Sequence, residues 1–236
     1  MGRFSQIEWT EATWNPWHGC RKVSPGCAHC YMYRDKIRYG QDPSKVVRGK
    51  TTFELPLKWK DPRLIFTCSW SDFFIEEADA WRDAAWDVIR STPHHTYQIL
   101  TKRPERIVNH LPKVWPLPNV WLGVSVENPR FYWRIAVLCE IPAFVRFLSL
   151  EPLLAAMPDL PLDGISWVIV GGESGPQCRP MKSEWVCEIR DRCRDAGVPF
   201  FFKQWGGKRK HVTGRRLEGR VWDEMPRSQC SCALGV

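Results

Sequence analysis

Six short apolar runs recur along the chain: Leu64 to Cys68, Thr96 to Leu100, Val120 to Val126, Phe144 to Leu150, Trp167 to Val170 and Phe200 to Phe202. They start 23 to 33 residues apart. Runs this short are strand-sized, and their near-continuous apolar character is that of strands covered on both faces. Between several of them the spacing becomes helical. Ala78, Trp81, Ala85, Val88 and Ile89 share one helical face, as do Trp185, Ile189, Cys193 and Ala196, with Gly197 placed to end the second helix. Strand–helix units of this length join parallel strands by right-handed crossovers, so the pattern predicts an α/β fold, a partial (β/α)6-7 barrel with parallel strands.

Upstream, residues 7 to 17 mix β-branched and aromatic residues and stop at Asn15-Pro16, as a first strand would. Tyr31 to Tyr39 is free of Gly and Pro and ends at Gly40, which predicts a short helix. Residues 40 to 63 carry several Lys and Arg between proline-marked turns, with no long periodic segment, and read as an insertion or lid over one face. A chain of 236 residues suits one such domain better than two. The expected organisation is a single barrel-like domain over residues 1–205 and a basic C-terminal extension over 206–236, partly disordered.

The residues after each strand are polar without exception. They are Ser69, Ser71 and Asp72; Thr101, Lys102 and Arg103; Ser125 and Glu127; Glu151; Gly171, Gly172, Glu173 and Ser174; and Lys203 with Gln204. In a β/α barrel these exits converge on the C-terminal mouth, where such folds place their chemistry. Helix capping explains one polar exit, but not so many in register. Lys102 and Lys203 are the candidate catalytic groups. Glu151 and Glu173 face the same mouth, and Gly171-Gly172 permits close backbone approach to a ligand. The plainer alternative is that the carboxylates pair with Lys102, Arg103 or Lys203 as a structural charge network.

The first exit is different in kind. Gly19 to Tyr31 holds Cys20, Cys27 and Cys30 in the spacing C-x6-C-x2-C around a Pro25-Gly26 turn. Three thiolates in one loop suit either a zinc ion, with His18 or His29 as fourth ligand, or a four-iron four-sulfur cluster whose fourth iron stays open. Cys68, Cys139, Cys187 and Cys193 fall in apolar strand or helix patterns and read as small buried hydrophobes. Cys230 and Cys232 lie near the C-terminus and read as exposed.

Net charge is +8, which favours an anionic partner, nucleic acid before membrane. Residues 206–236 hold seven Lys or Arg against three acids, and the rest of the chain 27 against 23, so half of the excess lies in the extension. No apolar run reaches the ~20 residues that span a bilayer, and the N-terminus lacks an apolar signal segment, so a cytoplasmic protein is expected. Ten cysteines in such a chain point to reduced thiols, a cluster or a metal rather than disulfides.

A three-cysteine loop after the first strand of a repeated β/α domain, with the ring of His29 before the last cysteine, resembles the radical S-adenosylmethionine enzymes. The set Trp14-Asn15-Pro16, Gly19-Cys20, Ser24-Pro25-Gly26-Cys27, Cys30-Tyr31, Ser149-Leu150-Glu151-Pro152, Gly171-Gly172-Glu173-Ser174-Gly175 and Leu217-Glu218-Gly219-Arg220-Val221-Trp222 is more closely similar to a phage-associated three-cysteine-motif family. That family is distantly related to the radical superfamily and has no established function. The resemblance implies a radical-SAM-like barrel. It also implies Cys20, Cys27 and Cys30 as ligands of a 4Fe-4S cluster, with S-adenosylmethionine on the fourth iron. Ser69 and Asp72 stand where the superfamily binds the methionine amino group, and Ser125 and Glu127 suit ribose hydroxyls. The usual spacing there is C-x3-C-x2-C, from which the six-residue first gap departs. The expected function is modification or repair of a nucleic acid, with a flavodoxin or ferredoxin as electron donor. The alternative is a non-catalytic zinc or iron-sulfur protein that binds nucleic acid or senses redox state.

Overall fold

Apolar runs at this interval become neighbouring strands in sequence order. The computed structural model describes residues 4–226; Cys230, Cys232 and the end of the basic extension lie outside them. In chain order the elements are β1 (Ala12–Trp14), β2 (Trp17–His18), α1 (Tyr31–Arg38), β3 (Val47–Arg48), β4 (Leu64–Thr67), α2 (Asp79–Arg90), β5 (Thr96–Thr101), β6 (Val120–Ser125), α3 (Trp133–Cys139), β7 (Val145–Leu150), β8 (Trp167–Gly171), α4 (Ser183–Asp195), β9 (Phe200–Gln204), α5 (Lys210–Thr213), β10 (Arg216–Leu217) and β11 (Arg220–Val221). The main sheet has the order β1-β4-β5-β6-β7-β8-β9, every pair parallel. Because the order never reverses, right-handed crossovers place the helices on one face, and the sheet curls into a half-barrel.

Alternation along the strands splits the core in two. Ile65, Ile99, Leu122, Leu148, Val168 and Phe202 face the helices and merge with Ala85 and Ile89 of α2, Leu138 of α3 and Ile189 of α4. The other parity lines the concave face, with Phe66, Trp121, Phe147, Trp167 and Phe201 plugged from below by Trp9. Trp167 is the hub, its ring 5.8–6.2 Å from those of Phe147, Trp121, Phe201 and Trp9. Two or four residues further along the same inward parity come Ser125, Ser149, Gly171 and Lys203. The interior is thus aromatic at the N-terminal end of the strands and polar at the mouth. Gly123 belongs to the aromatic layer: a Cβ there would lie 2.5 Å from the Phe147 ring.

Three boundaries differ from the sequence expectation. The first strand is only Ala12–Trp14, because Asn15-Pro16 turns the chain and Trp17–His18 pairs antiparallel with β3 instead. Residues 40–63 form a wall rather than a lid. Phe53 and Trp59 are buried, and the Trp14 indole N–H is shared by the Thr52 and Phe53 carbonyls at 3.0 Å. The chain beyond 205 also joins the barrel. The Phe202 N–H donates to the Trp222 carbonyl at 2.8 Å, Phe201 bridges Asp223 in antiparallel fashion, and Leu217 is buried. The described part of the basic extension therefore covers the β9 edge. Cys68 and Cys193 are buried as expected of small hydrophobes, whereas Cys139 and Cys187 are only half-buried. Among the described residues no helix is long and apolar enough to cross a membrane.

Candidate functional site

The cysteine loop lies across the mouth, tied to the exits of four strands. At the β4 exit, the Gly19 N–H donates to the Trp70 carbonyl at 3.0 Å and the Ser71 hydroxyl donates to the Gly19 carbonyl at 2.6 Å. Gly19 has φ +99°, and a Cβ there would meet the Lys45 carbonyl at 2.2 Å, so only glycine admits this closure. At the β5 exit, Arg103 donates to the Arg21 carbonyl at 2.9 Å and approaches the Cys20 sulfur at 4.0 Å. At the β6 exit, the Ser24 hydroxyl donates to Glu127. At the β8 exit, His29 Nδ1 sits 3.1 Å from Glu173, and Arg179 donates to the Pro25 carbonyl at 3.0 Å.

The polar residues read as a converging mouth do converge, and each of their carboxylates meets a cation. Asp72 accepts from the Thr101 hydroxyl at 2.7 Å and from the backbone N–H groups of Phe74 and Lys102 at 2.9 Å, and pairs with Arg103 at 3.1 Å. Glu127, fully buried, pairs with Arg134 at 3.1 Å and Lys102 at 3.3 Å. Glu151 takes Lys203 at 2.7 and 2.9 Å. Burial would raise the Glu173 carboxyl, but hydrogen bonds from the Arg179 side chain and backbone and from His29 overcome it and hold it at about 2. The charge network weighed as the plainer alternative is therefore present. Asp72 and Glu127 meet an incoming ligand only by releasing a partner.

Ser69 is occupied as well: its hydroxyl accepts from the Asn15 amide at 2.9 Å, and its carbonyl accepts from the Tyr31 hydroxyl. Ser125 is buried on the inner face, and its carbonyl accepts from Arg134 at 2.8 Å. The glycines serve close approach, but to the chain itself. A Cβ on Gly172 would meet the Trp205 carbonyl at 2.0 Å, and one on Gly171 the Glu151 carboxyl at 3.3 Å. Four residues of the site were given no role there by the sequence: Asn15 and Tyr31, which stood only as parts of motifs, and Arg134 and Arg179. The Asn15-Pro16 pair read as a turn, which hid an amide that also accepts from the Trp70 N–H at 2.7 Å. Arg134 and Arg179 lie seven and six residues beyond their glutamates, at no motif spacing.

The chemistry of the donor set fits a soft metal or cluster. Cys20, Cys27 and Cys30 are free thiols. Burial pushes Cys20 up to about 12, helped by Asp72 and opposed by Arg103, and burial also raises Cys30, opposed by the N–H groups of Tyr33 and Met32. A charge on Cys27 opposes ionisation of both neighbours. Three thiolates are therefore stable together only with positive charge among them. The Ser24 hydroxyl lies 3.8 Å from the Cys27 sulfur, so each sulfur has a polar neighbour of the kind that tunes metal–thiolate sites. Among the described residues no group of three or more His, Cys, Asp or Glu side chains is gathered closely enough to hold a metal ion, so binding requires the thiols to turn. The two candidate fourth ligands are held differently. His29 Nδ1 is engaged by Glu173, and His18 Nδ1 is buried without a partner, its imidazole kept neutral by burial and by Lys36.

A family model described as a protein of unknown function, DUF5131, matches residues 4–226. Neither the curated proteins nor the solved structures contain a match to the chain.

Proposed function

The chain belongs to the DUF5131 family, and on that premise we propose that it is an iron-sulfur enzyme of the radical S-adenosylmethionine type that modifies or repairs a nucleic acid. The observation that carries this reading is the cysteine loop lying over the polar mouth of a singly wound half-barrel, tied to four strand exits. A structural zinc loop needs no such mouth. A 4Fe-4S cluster with one open iron, when bound, supplies one-electron reduction of the sulfonium of S-adenosylmethionine.

The chain's own residues hold, orient and protonate. Arg103, Ser24 and the N–H groups of Met32 and Tyr33 neutralise the thiolates of Cys20, Cys27 and Cys30. Asp72, through Arg103, and Glu127, through Ser24, fix the loop's height over the barrel. Ser69, Ser125, Glu151 and the Gly171-Gly172 turn with Glu173 form the wall that a cofactor would meet. Lys203 projects inward beside Glu151 and Lys102 reaches the rim of the same cavity, so these two are placed to hold or move a proton at the substrate. A flavodoxin or ferredoxin in the cytoplasm would supply the electron.

Anaerobic reconstitution with iron and sulfide tests this directly. The wild type is expected to absorb near ~400 nm, give a reduced-cluster EPR signal and release 5′-deoxyadenosine from S-adenosylmethionine, and Cys27→Ala to lose all three. A colourless protein containing one zinc would overturn the reading. A cluster without cleavage would leave electron transfer or sensing in place of radical chemistry.

A further inference from the structure

The rim of the mouth beside the β8 exit is an arc of cations drawn from two distant segments. Arg34, on α1, lies against Gly175: a Cβ there would be 2.2 Å from its Nη1. Gly175 is joined to the next segment through its N–H, which donates to the Gly207 carbonyl at 3.0 Å, and Ser174 bridges Gly207 in parallel. Lys208 and Arg209 follow immediately and are exposed. Arg38 extends the arc along α1, one turn from Arg34 on the same helical face. Arg179 closes it at the inner side, where Glu173 already neutralises it.

Of the acids around this arc, Glu173 is turned inward and saturated, and Asp35 touches Arg34 only at 3.8 Å. The arc is thus net positive, and two glycine turns packed backbone to backbone hold it open. Gly206, at φ +78°, would place a Cβ 2.3 Å from the Glu173 carbonyl. Tyr39, the residue after Arg38, is 69% exposed and offers a ring for stacking. Cations along a rim with an accessible aromatic are what a single strand of nucleic acid requires: phosphates follow the cations, and a base leaves the strand for the cavity.

We propose that Arg34, Arg38, Lys208 and Arg209 form the phosphate-binding track of this protein, and that the strand it holds is single. This rests on the nucleic-acid part of the proposed function and not on the cluster. The test is fluorescence anisotropy with a labelled single strand of about 20 nucleotides, as DNA and as RNA, against a duplex of equal length. It uses the full chain, in cluster-loaded and metal-free form. The triple variant Arg34→Glu, Lys208→Glu, Arg209→Glu is compared with Lys60→Glu, an exposed cation before the N-terminal end of β4, and circular dichroism verifies that both are folded. The triple variant is expected to bind at least ~10-fold more weakly at low salt, with the slope of log affinity against log salt reduced by about 2, since each phosphate contact on a single strand contributes about 0.7. Lys60→Glu is expected to bind as the wild type does. Equal loss in both variants, or tighter binding of the duplex, would overturn the track while leaving nucleic acid as the partner. Failure of the wild type to bind any of the three probes would overturn both.

Discussion

Glu173 shows how the mouth sets its charges. Burial alone would keep this carboxyl protonated longer than usual, yet Arg179 and His29 take it from about 4.5 down to about 2. A depressed carboxylate stabilises the fold above its unfolded pKa and loses that contribution as pH falls through the folded one. The Glu173–Arg179 contact is therefore fully present above about pH 4.5 and lost towards pH 2. Allowing for the partial exposure of Arg179, the contacts of Arg179 and His29 with this carboxylate are together worth ~2–3 kcal/mol. Glu173→Gln should lower the urea-unfolding free energy by about that amount at pH 7, and the gap from wild type should close between pH 4.5 and 2. A constant gap over that window would show that Arg179 and His29 do not set this carboxyl. The same residue joins the cysteine loop to β8, so the variant should also reconstitute less cluster.

At the scale of the strands, one glycine decides how the barrel is filled. Gly123 sits mid-strand in β6, where glycine is ordinarily unfavourable, because Phe147 of β7 occupies the space a side chain would need. Phe147 has nowhere to retreat, being enclosed by Trp9 and Trp167. Gly123→Ala should therefore destabilise by ~1–3 kcal/mol despite the better strand propensity of alanine. The double variant with Phe147→Leu should recover part of that loss in the same denaturation experiment. A neutral or stabilising Gly123→Ala would mean that the aromatic layer is looser than its ring distances of 5.8–6.4 Å indicate.

For the molecule as a whole, the half-barrel is open, and its two edges need cover. The β9 edge is covered by residues 222–224, which pair with it antiparallel, and Trp222 meets Phe200 edge to face at 5.8 Å. An uncovered apolar edge strand is a template for association. A chain ending at residue 205 should consequently aggregate, or melt at least ~10 °C lower if it stays soluble, as read by size-exclusion chromatography and thermal unfolding. A soluble monomer melting as the full chain does would show that β9 needs no cover.

Local pattern settled a good deal unaided. The interval of the apolar runs fixed parallel strands in sequence order, since a helix and two turns fill such an interval and only one crossover hand packs back onto the sheet. Turn residues fixed where each strand stops, and so which polar residues stand at the mouth. What the sequence left undecided involves contacts with no characteristic spacing. Arg134 reaches Glu127 and Arg179 reaches Glu173 across loops whose shape depends on packing. Residues 206–226 looked like a basic tail because charge dominates their composition, whereas the few apolar groups among them, Leu217 and Trp222, decide where they dock. Gly171-Gly172 read as room for a ligand, and tertiary structure alone shows that Gly172 makes room for the loop at Trp205, while Gly206 makes room for the Glu173 carbonyl. The cysteine loop lies between these cases. Its thiols and turn are evident in sequence, but its position over the mouth comes from hydrogen bonds to four exits far apart along the chain, which exist only once the sheet has curled.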